Sequence, residues 1–290
     1  MSPADWTALD NPFTTAFQDS RKGLHAFFVD HYGKLQTRAP EHADLAAIFL
    51  GTQPVRTAWL ADYGAWQQDR NQWHGATTLV ENIVATLRVA PPGGGRSILD
   101  EWVSQIEACF ATGSEDYQAF LPQGREPFTK SGYEALLAAL NTFQGALAQR
   151  INPLQGAQAA AQAAVDALVA ANLPVPPEMA KALRLAKLRA ETVDALAAEV
   201  ATFHQKLLTA RTAQNALEAK VDNDVATLTM TTANVLLHLH ANFGLLLGHF
   251  LTVNVQSDDP QLAVAAFYDL AQLGPNAPAP PPDDPPPPGP

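Results

Sequence analysis

Residues 178–255 form a stretch that contains no proline, and its first glycine is Gly244. Because proline and glycine are the residues that most disfavour a helix interior, so long an interval without them predicts helix. Elsewhere in the chain, the period-two alternation of a β-strand never extends beyond a few residues. We therefore predict an all-α fold, an elongated multi-helix bundle with a long heptad-bearing helix or helical hairpin in its C-terminal half.

A heptad pattern begins inside this stretch. We call its members the seam: Val193, Leu196, Val200, Phe203, Leu207, Gln214, Leu217 and Val221. Apolar residues at this spacing predict a helix that packs lengthwise against another helix, because one stripe keeps facing the partner. Gln214 is polar, and a single polar residue in such a seam usually fixes its register.

Beyond Val221 the apolar residues shift by one position relative to the heptad. Two structures explain this shift: a stutter in one continuous helix, or a turn at residues 221–224 that folds the chain back as a hairpin. Those residues are Val-Asp-Asn-Asp, and Asp and Asn favour turns and N-caps. We favour the hairpin.

Polar side chains occupy one face of the second part of the stretch. We call Asn234, His238, Asn242 and His249 the polar stripe. A buried stripe would specify helix register, whereas a stripe lining water would be the first place to look for activity. His238 and His249 lie on one face but about 16 Å apart along a helix axis, too far to share an ion. We predict no metal and no cofactor, and keep a metal or haem site in the helix core as a weaker alternative.

Residues 225–257 contain no Asp, Glu, Lys or Arg. This length exceeds the roughly 20 residues needed to span a bilayer. The Asn and His side chains of the same segment are costly in hydrocarbon. A membrane-interacting or pore-forming helix is therefore the alternative function and not the first choice.

Charge and cysteine content restrict the function classes. The net charge of −11 argues against a general nucleic-acid binder, which needs a basic face. The single cysteine allows no internal disulfide. The N-terminus lacks a basic segment followed by an apolar run, so we predict cytoplasmic localisation.

The N-terminal half has an aromatic repeat and several breaks. Tryptophan recurs every seven residues at Trp59, Trp66 and Trp73, which predicts a buried helix face and not a stacking platform. Prolines predict helix ends at residues 51–54 and 152–153. Residues 120–128 predict a stiff loop whose exposed tip, Arg125 and Glu126, is a candidate binding site or a structural corner.

These patterns predict four segments: an aromatic helical bundle (1–172), a proline-rich linker (173–177), long coiled-coil-like helices packed on the bundle (178–273) and a disordered proline-rich tail (274–290). No catalytic motif is present, so we predict a non-enzymatic helical scaffold or interaction module. Its seam would pair with a protein partner or with a second copy of the chain.

Overall fold

The computed structural model describes residues 12–17, 20–252, 260–269 and 273, and within these residues it contains no β-strand. The helices are α1 (Pro12–Phe17), α2 (Arg21–Arg38), α3 (Ala43–Arg88), α4 (Ile98–Cys109), α5 (Glu115–Phe120), α6 (Glu126–Thr129), α7 (Tyr133–Ala170), α8 (Pro177–Thr252) and α9 (Pro260–Ala265), with a 3₁₀ turn at Ala39–Glu41. The all-α prediction and the long heptad-bearing helix are confirmed. The proline-rich tail and the last residues of the uncharged segment lie outside the described residues.

Three serines begin helices by capping them. The Ser20 hydroxyl accepts the Gly23 N–H at the start of α2. Ser97 and Ser114 accept the N–H groups three residues ahead at the starts of α4 and α5. Each hydroxyl satisfies a donor that the first helical turn leaves unpaired, which fixes where the helix starts.

The hairpin prediction is wrong, because α8 continues without a break through residues 221–224. Val221, Val225 and Leu228 recur at helical spacing and all pack against one core. Asp222 and Asn223 lie on the exposed side of the same turns. Without proline or glycine here, nothing interrupts the helical hydrogen bonds, so the shift in register is a stutter in one helix.

The helix ends predicted at Pro54 and Pro153 are also wrong, since both prolines lie inside helices, in α3 and α7. An internal proline costs about 3 kcal/mol. Buried Ile48 and Trp59 flank Pro54, and Ile151 and Leu154 pack against a core beside Pro153. Burial of apolar side chains on both sides offsets the lost hydrogen bond.

The described residues form two compact units. Unit 1 comprises those up to Gln72 together with those from Leu217 onward, and unit 2 comprises Trp73–Ala216. Helices α3 and α8 each contribute residues to both units. The connection predicted as a linker at residues 173–177 has no regular secondary structure up to residue 176, and it lies within unit 2.

Each unit has its own apolar core. The core of unit 1 includes Phe27, Phe28, Trp59, Trp66, Leu239, Phe243 and Phe267. The core of unit 2 includes Val80, Leu87, Trp102, Leu140, Phe143, Val200 and Leu207. Trp59, Trp66 and Trp73 are all at least 94% buried, which confirms the aromatic repeat as a buried helix face.

Candidate functional site

The seam lies in unit 2 from Val193 to Gln214, while Leu217 and Val221 belong to unit 1. Val193, Leu196, Val200 and Leu207 are fully or almost fully buried, in the same cluster as Trp102 of α4 and residues of α3 and α7. Leu217 and Val221, at the end of the seam, are half-buried. The helices that the heptad predicts as partners therefore belong to the same chain in this structure.

Gln214 shows how the polar member of the seam is accommodated. Its Nε2 donates to the Thr77 hydroxyl at 2.9 Å, and its Oε1 accepts from the Arg211 guanidinium at 2.7 Å. Both ends of the amide are thus satisfied within unit 2, so a buried polar group is retained without an unpaired donor.

Both residues of the predicted loop site, Arg125 and Glu126, form ion pairs. Arg125 forms an ion pair with Asp100 of α4, and Glu126 forms one with Lys130 at 3.0 Å. The Ser97 hydroxyl, and after it Arg125, lowers the pKa of Asp100 below its usual value. A 610 Å³ cavity beside this loop is lined mainly by apolar residues, with Glu126 and Lys130 at its edge. Exposed ion pairs of this kind hold a loop weakly and indicate no particular ligand.

The polar stripe of α8 is divided between buried and exposed positions. Asn242 and His249 are buried in unit 1, His238 is half-buried and Asn234 is exposed. His238, Asn242 and His249 point inward. Each contacts a residue of α2 or of the first ten residues of α3.

Asn242 and His238 belong to a buried hydrogen-bond network. The Asn242 amide nitrogen lies 3.1 Å from His31 Nε2 and 3.0 Å from the Thr52 hydroxyl. His238 Nε2 lies 3.0 Å from the same hydroxyl, which donates to the Ile48 carbonyl at 2.7 Å. The other His31 nitrogen, Nδ1, lies 2.9 Å from the Phe267 carbonyl.

These distances assign the protons. A carbonyl only accepts, so His31 carries its proton on Nδ1 and accepts the Asn242 amide on Nε2. The Thr52 hydroxyl donates to a carbonyl, so it must accept from both Asn242 and His238. His31 is neutral in this arrangement, and His238 carries a proton on Nε2.

Burial is the reason that His31 stays neutral. Its side chain is fully buried and stacks on Tyr268, with ring centroids 4.4 Å apart. Burial lowers the pKa of His31 to about 4, against the opposing effect of the Phe267 carbonyl, and nearby His238 and Lys34 lower it further. Burial also lowers the pKa of His238.

The Thr52 hydroxyl is expected to contribute strongly to stability, because it accepts two hydrogen bonds of the network. In Thr52→Val the shape is kept while the two donors of Asn242 and His238 lose their acceptor. Because an unsatisfied buried donor costs about 1–3 kcal/mol, we expect a loss of about 2 kcal/mol in the free energy of unfolding, measured with urea.

Thr57 on the same helix is the matched control. Its exposed hydroxyl donates to the Gln53 carbonyl at 2.9 Å, a bond that water can replace, so Thr57→Val should change stability by less than about 0.5 kcal/mol. Equal stabilities of the Thr52→Val, Thr57→Val and wild-type proteins would contradict the proton assignment.

His249, in the last turn of α8, belongs to a different cluster. Its Nδ1 lies 3.1 Å from Asp44 Oδ2, and Nδ1 of His42 lies 3.5 Å from the same oxygen. The two imidazole rings are neighbours, with centroids 4.7 Å apart. His42, Asp44 and His249 each offer a ligand atom, and the three atoms lie within 4.8 Å of one another.

The side of α8 that faces away from the core of unit 1 is exposed and apolar. We call Met230, Leu237, Leu245 and Leu251 the outer face of α8; these side chains are 69%, 64%, 57% and 56% exposed. Next to them a 550 Å³ groove runs between α8 and Pro54, Val55 and Ala58 of α3, with Asn234 and His238 among its lining residues. By length and composition alone α8 is long and apolar enough to cross a membrane, a test that core helices also pass, and 44% of its most apolar section is buried.

Sequence reasoning found the stripe but missed its contacts. Spacings of four, four and seven residues placed the stripe on one face of α8, whereas His31, His42, Asp44 and Thr52 belong to no pattern with it. His31 was recognisable as a member of a buried aromatic face of α2, but no signal pointed to Thr52, His42 or Asp44.

No family model, curated protein or solved structure matches this chain.

Proposed function

We propose that this chain binds lipid bilayers through the outer face of α8. The observation that carries the proposal is the combination of strong exposure with the complete absence of charge from residues 225–252. This segment rises about 40 Å along its axis, so the outer face offers an uncharged strip of that length to a bilayer surface.

The other half of the same helix provides the comparison. In residues 178–220 the exposed positions include Lys181, Arg184, Lys187 and Glu191, the ordinary surface of a helix in water. In residues 225–252 exposed positions carry Met, Leu, Ala, Gly, Thr and Asn instead. The exposed residues thus change from charged to uncharged at the stutter. Contact with water alone does not require this change.

Hydrogen bonding adds to this argument. The exposed hydroxyls of Thr227, Thr229 and Thr252 each donate to the carbonyl four residues earlier, at 3.2, 2.7 and 2.7 Å. Threonines bonded in this way direct their methyl groups outward and bring no unpaired donor into hydrocarbon. Of the polar stripe, Asn242 and His249 face inward, whereas Asn234 is exposed.

Pairing through the seam has less support than membrane binding. Seam residues such as Leu196 and Leu207 would have to leave the core of unit 2 before they could contact another protein. The outer face needs no such rearrangement, because its leucines are exposed already. A second copy covering the outer face is the competing occupant, and the experiment below separates the two.

The charge of the chain predicts which vesicles it should bind. An outer face without charge gains nothing from anionic lipid, and a net charge of −11 opposes approach to it. Binding should therefore be at least as strong to phosphatidylcholine vesicles as to vesicles containing phosphatidylserine. It should also persist at high salt, since it depends on apolar burial.

The test is flotation with phosphatidylcholine vesicles at neutral pH. Wild-type protein is expected to float, and Leu237→Lys/Leu245→Lys is expected to reduce the partition coefficient at least about tenfold. Each leucine contributes about 1.5–3 kcal/mol when buried in hydrocarbon, and each lysine adds a desolvation cost. Because both positions are more than half exposed, the fold should tolerate the substitutions.

Leu188→Lys is the matched control, since Leu188 is an exposed leucine of α8 within its charged half. This variant should float like wild type. Failure of the wild-type protein to float, or equal flotation of all three proteins, would contradict membrane binding. A dimer in light scattering that the double substitution dissociates, without any flotation, would assign the outer face to self-association instead.

A further inference from the structure

We propose that His42, Asp44 and His249 form a binding site for one divalent transition-metal ion, with zinc as the best-matched candidate. The site lies within unit 1, joins the end of α8 to the start of α3, and is independent of membrane binding. Two imidazoles with one carboxylate form a ligand set that suits zinc and related first-row metals.

The local sequence explains how His42 and Asp44 come together. His42 follows the 3₁₀ turn in an extended conformation and acts as the N-cap of α3, its carbonyl accepting the Ala46 N–H at 3.0 Å. Its ring accepts the Asp44 N–H at 3.1 Å. Asp44 lies in the first helical turn, where the helix dipole favours a carboxylate. Two ligand types are thus presented from one helix end.

His249 completes the set from the end of α8. Its side chain is only 3% exposed, and its ring packs edge-on against Phe250 with centroids 4.9 Å apart. Such packing limits the orientations of the ring. The Asp44 and His42 side chains are 50% and 39% exposed, so the cluster is closed on one side and open to solvent on the other.

Two of the three ligand–ligand distances fit a metal site, and all three ligand atoms lie within 4.8 Å of one another. Ligand atoms bonded to zinc at 2.0–2.1 Å in tetrahedral geometry lie about 3.3 Å from one another. The separations of Asp44 Oδ2 from the two Nδ1 atoms, 3.1 and 3.5 Å, bracket this value. The exposed side leaves room for water as a further ligand. In binding, the metal would take the His42 lone pair that now accepts the Asp44 N–H.

A simple hydrogen bond between His249 and Asp44 explains one of the two short distances. The other follows from the helix N-terminus, where the His42 ring accepts the Asp44 N–H at 3.1 Å, so the metal site rests on the convergence of His249 with this pair. With two neutral histidines and one carboxylate, the site would leave a divalent ion with one net positive charge. Water at the open position can carry part of that charge, as in open zinc sites.

The experiment is titration of EDTA-treated, full-length protein with Zn²⁺ in a calorimeter, and with Co²⁺ followed by visible absorption. We expect one ion per chain and the intense absorption of tetrahedral Co²⁺. Asp44→Asn and His42→Ala should each weaken Zn²⁺ binding at least about tenfold. Both positions are partly exposed, so these variants should fold, which thermal unfolding without metal will verify.

His204→Ala is the matched control, because His204 is a half-buried histidine of α8 in unit 2, outside the cluster. It should bind Zn²⁺ as wild type does. Zn²⁺ should also raise the melting temperature of wild type and of His204→Ala, but not that of Asp44→Asn. Absence of a one-to-one site in wild type, or wild-type affinity in both Asp44→Asn and His42→Ala, would overturn the proposal.

Discussion

Acidification from pH 7 to pH 4 is expected to lower the free energy of unfolding by about 3 kcal/mol through His31 alone. The ordinary pKa of a histidine is 6.5, and burial lowers that of His31 to about 4 in the folded chain. Each pKa unit of difference corresponds to about 1.4 kcal/mol. Between these two pH values His31 is protonated in the unfolded chain but largely neutral in the folded chain.

The direction of the effect follows from this difference. Stability from His31 is fully present above about pH 6.5, falls as the pH decreases, and is lost near pH 4. A proton on Nε2 would face the Asn242 amide, which is itself a donor in the network. Protonation therefore requires either rotation of that amide or separation of α2 from α8.

The measurement is urea unfolding of wild type and His31→Gln at several pH values between 7 and 4.5. His31→Gln is expected to be less stable at pH 7 but to have a shallower pH dependence. Carboxyl groups titrate in the same range, so the difference between the two proteins is the informative quantity. It removes contributions that both proteins share.

Phe28→Leu provides the matched control. Phe28 is another fully buried residue of α2, and its substitution lowers stability without removing a titrating group. It should therefore retain the wild-type pH dependence. If His31→Gln and Phe28→Leu had the same pH dependence as wild type, the buried neutral His31 would not be the cause of acid sensitivity.

The helical content was predictable because it depends on local features. Apolar periodicity and the absence of proline and glycine from residues 178–243 predict α8, and Ser97 marks the start of α4. The exceptions have a common physical reason. At Pro54, at Pro153 and at residues 221–224, burial of neighbouring apolar side chains outweighs the local preference for a break.

The candidate sites were predictable only in part, because a sequence shows which residues share a helix face but not what that face contacts. The spacing of Asn234, His238, Asn242 and His249 predicted a stripe. Whether Asn242 would meet water or His31 depends on how α2 packs against α8, and this is a tertiary property. The same limit applies to Asp44, which the sequence does not connect with His249.

For the seam, the tertiary question is whether it packs within its own chain or against another chain. Substitution of Leu207 distinguishes the two. Leu207 is fully buried in the core of unit 2, so Leu207→Ala removes packed methyl groups and leaves a cavity. Substitutions of this kind cost about 2–5 kcal/mol. We expect a loss of this size in the free energy of unfolding, measured with urea, and no change of oligomeric state in light scattering.

Leu208 is the matched control, because it is the next residue of the same helix and is 39% exposed. Leu208→Ala leaves no closed cavity, so its cost should stay below about 1 kcal/mol. A seam that paired with another chain would give a different result. Leu207→Ala would then weaken the assembly in a concentration-dependent way while leaving the stability of the isolated chain close to that of Leu208→Ala.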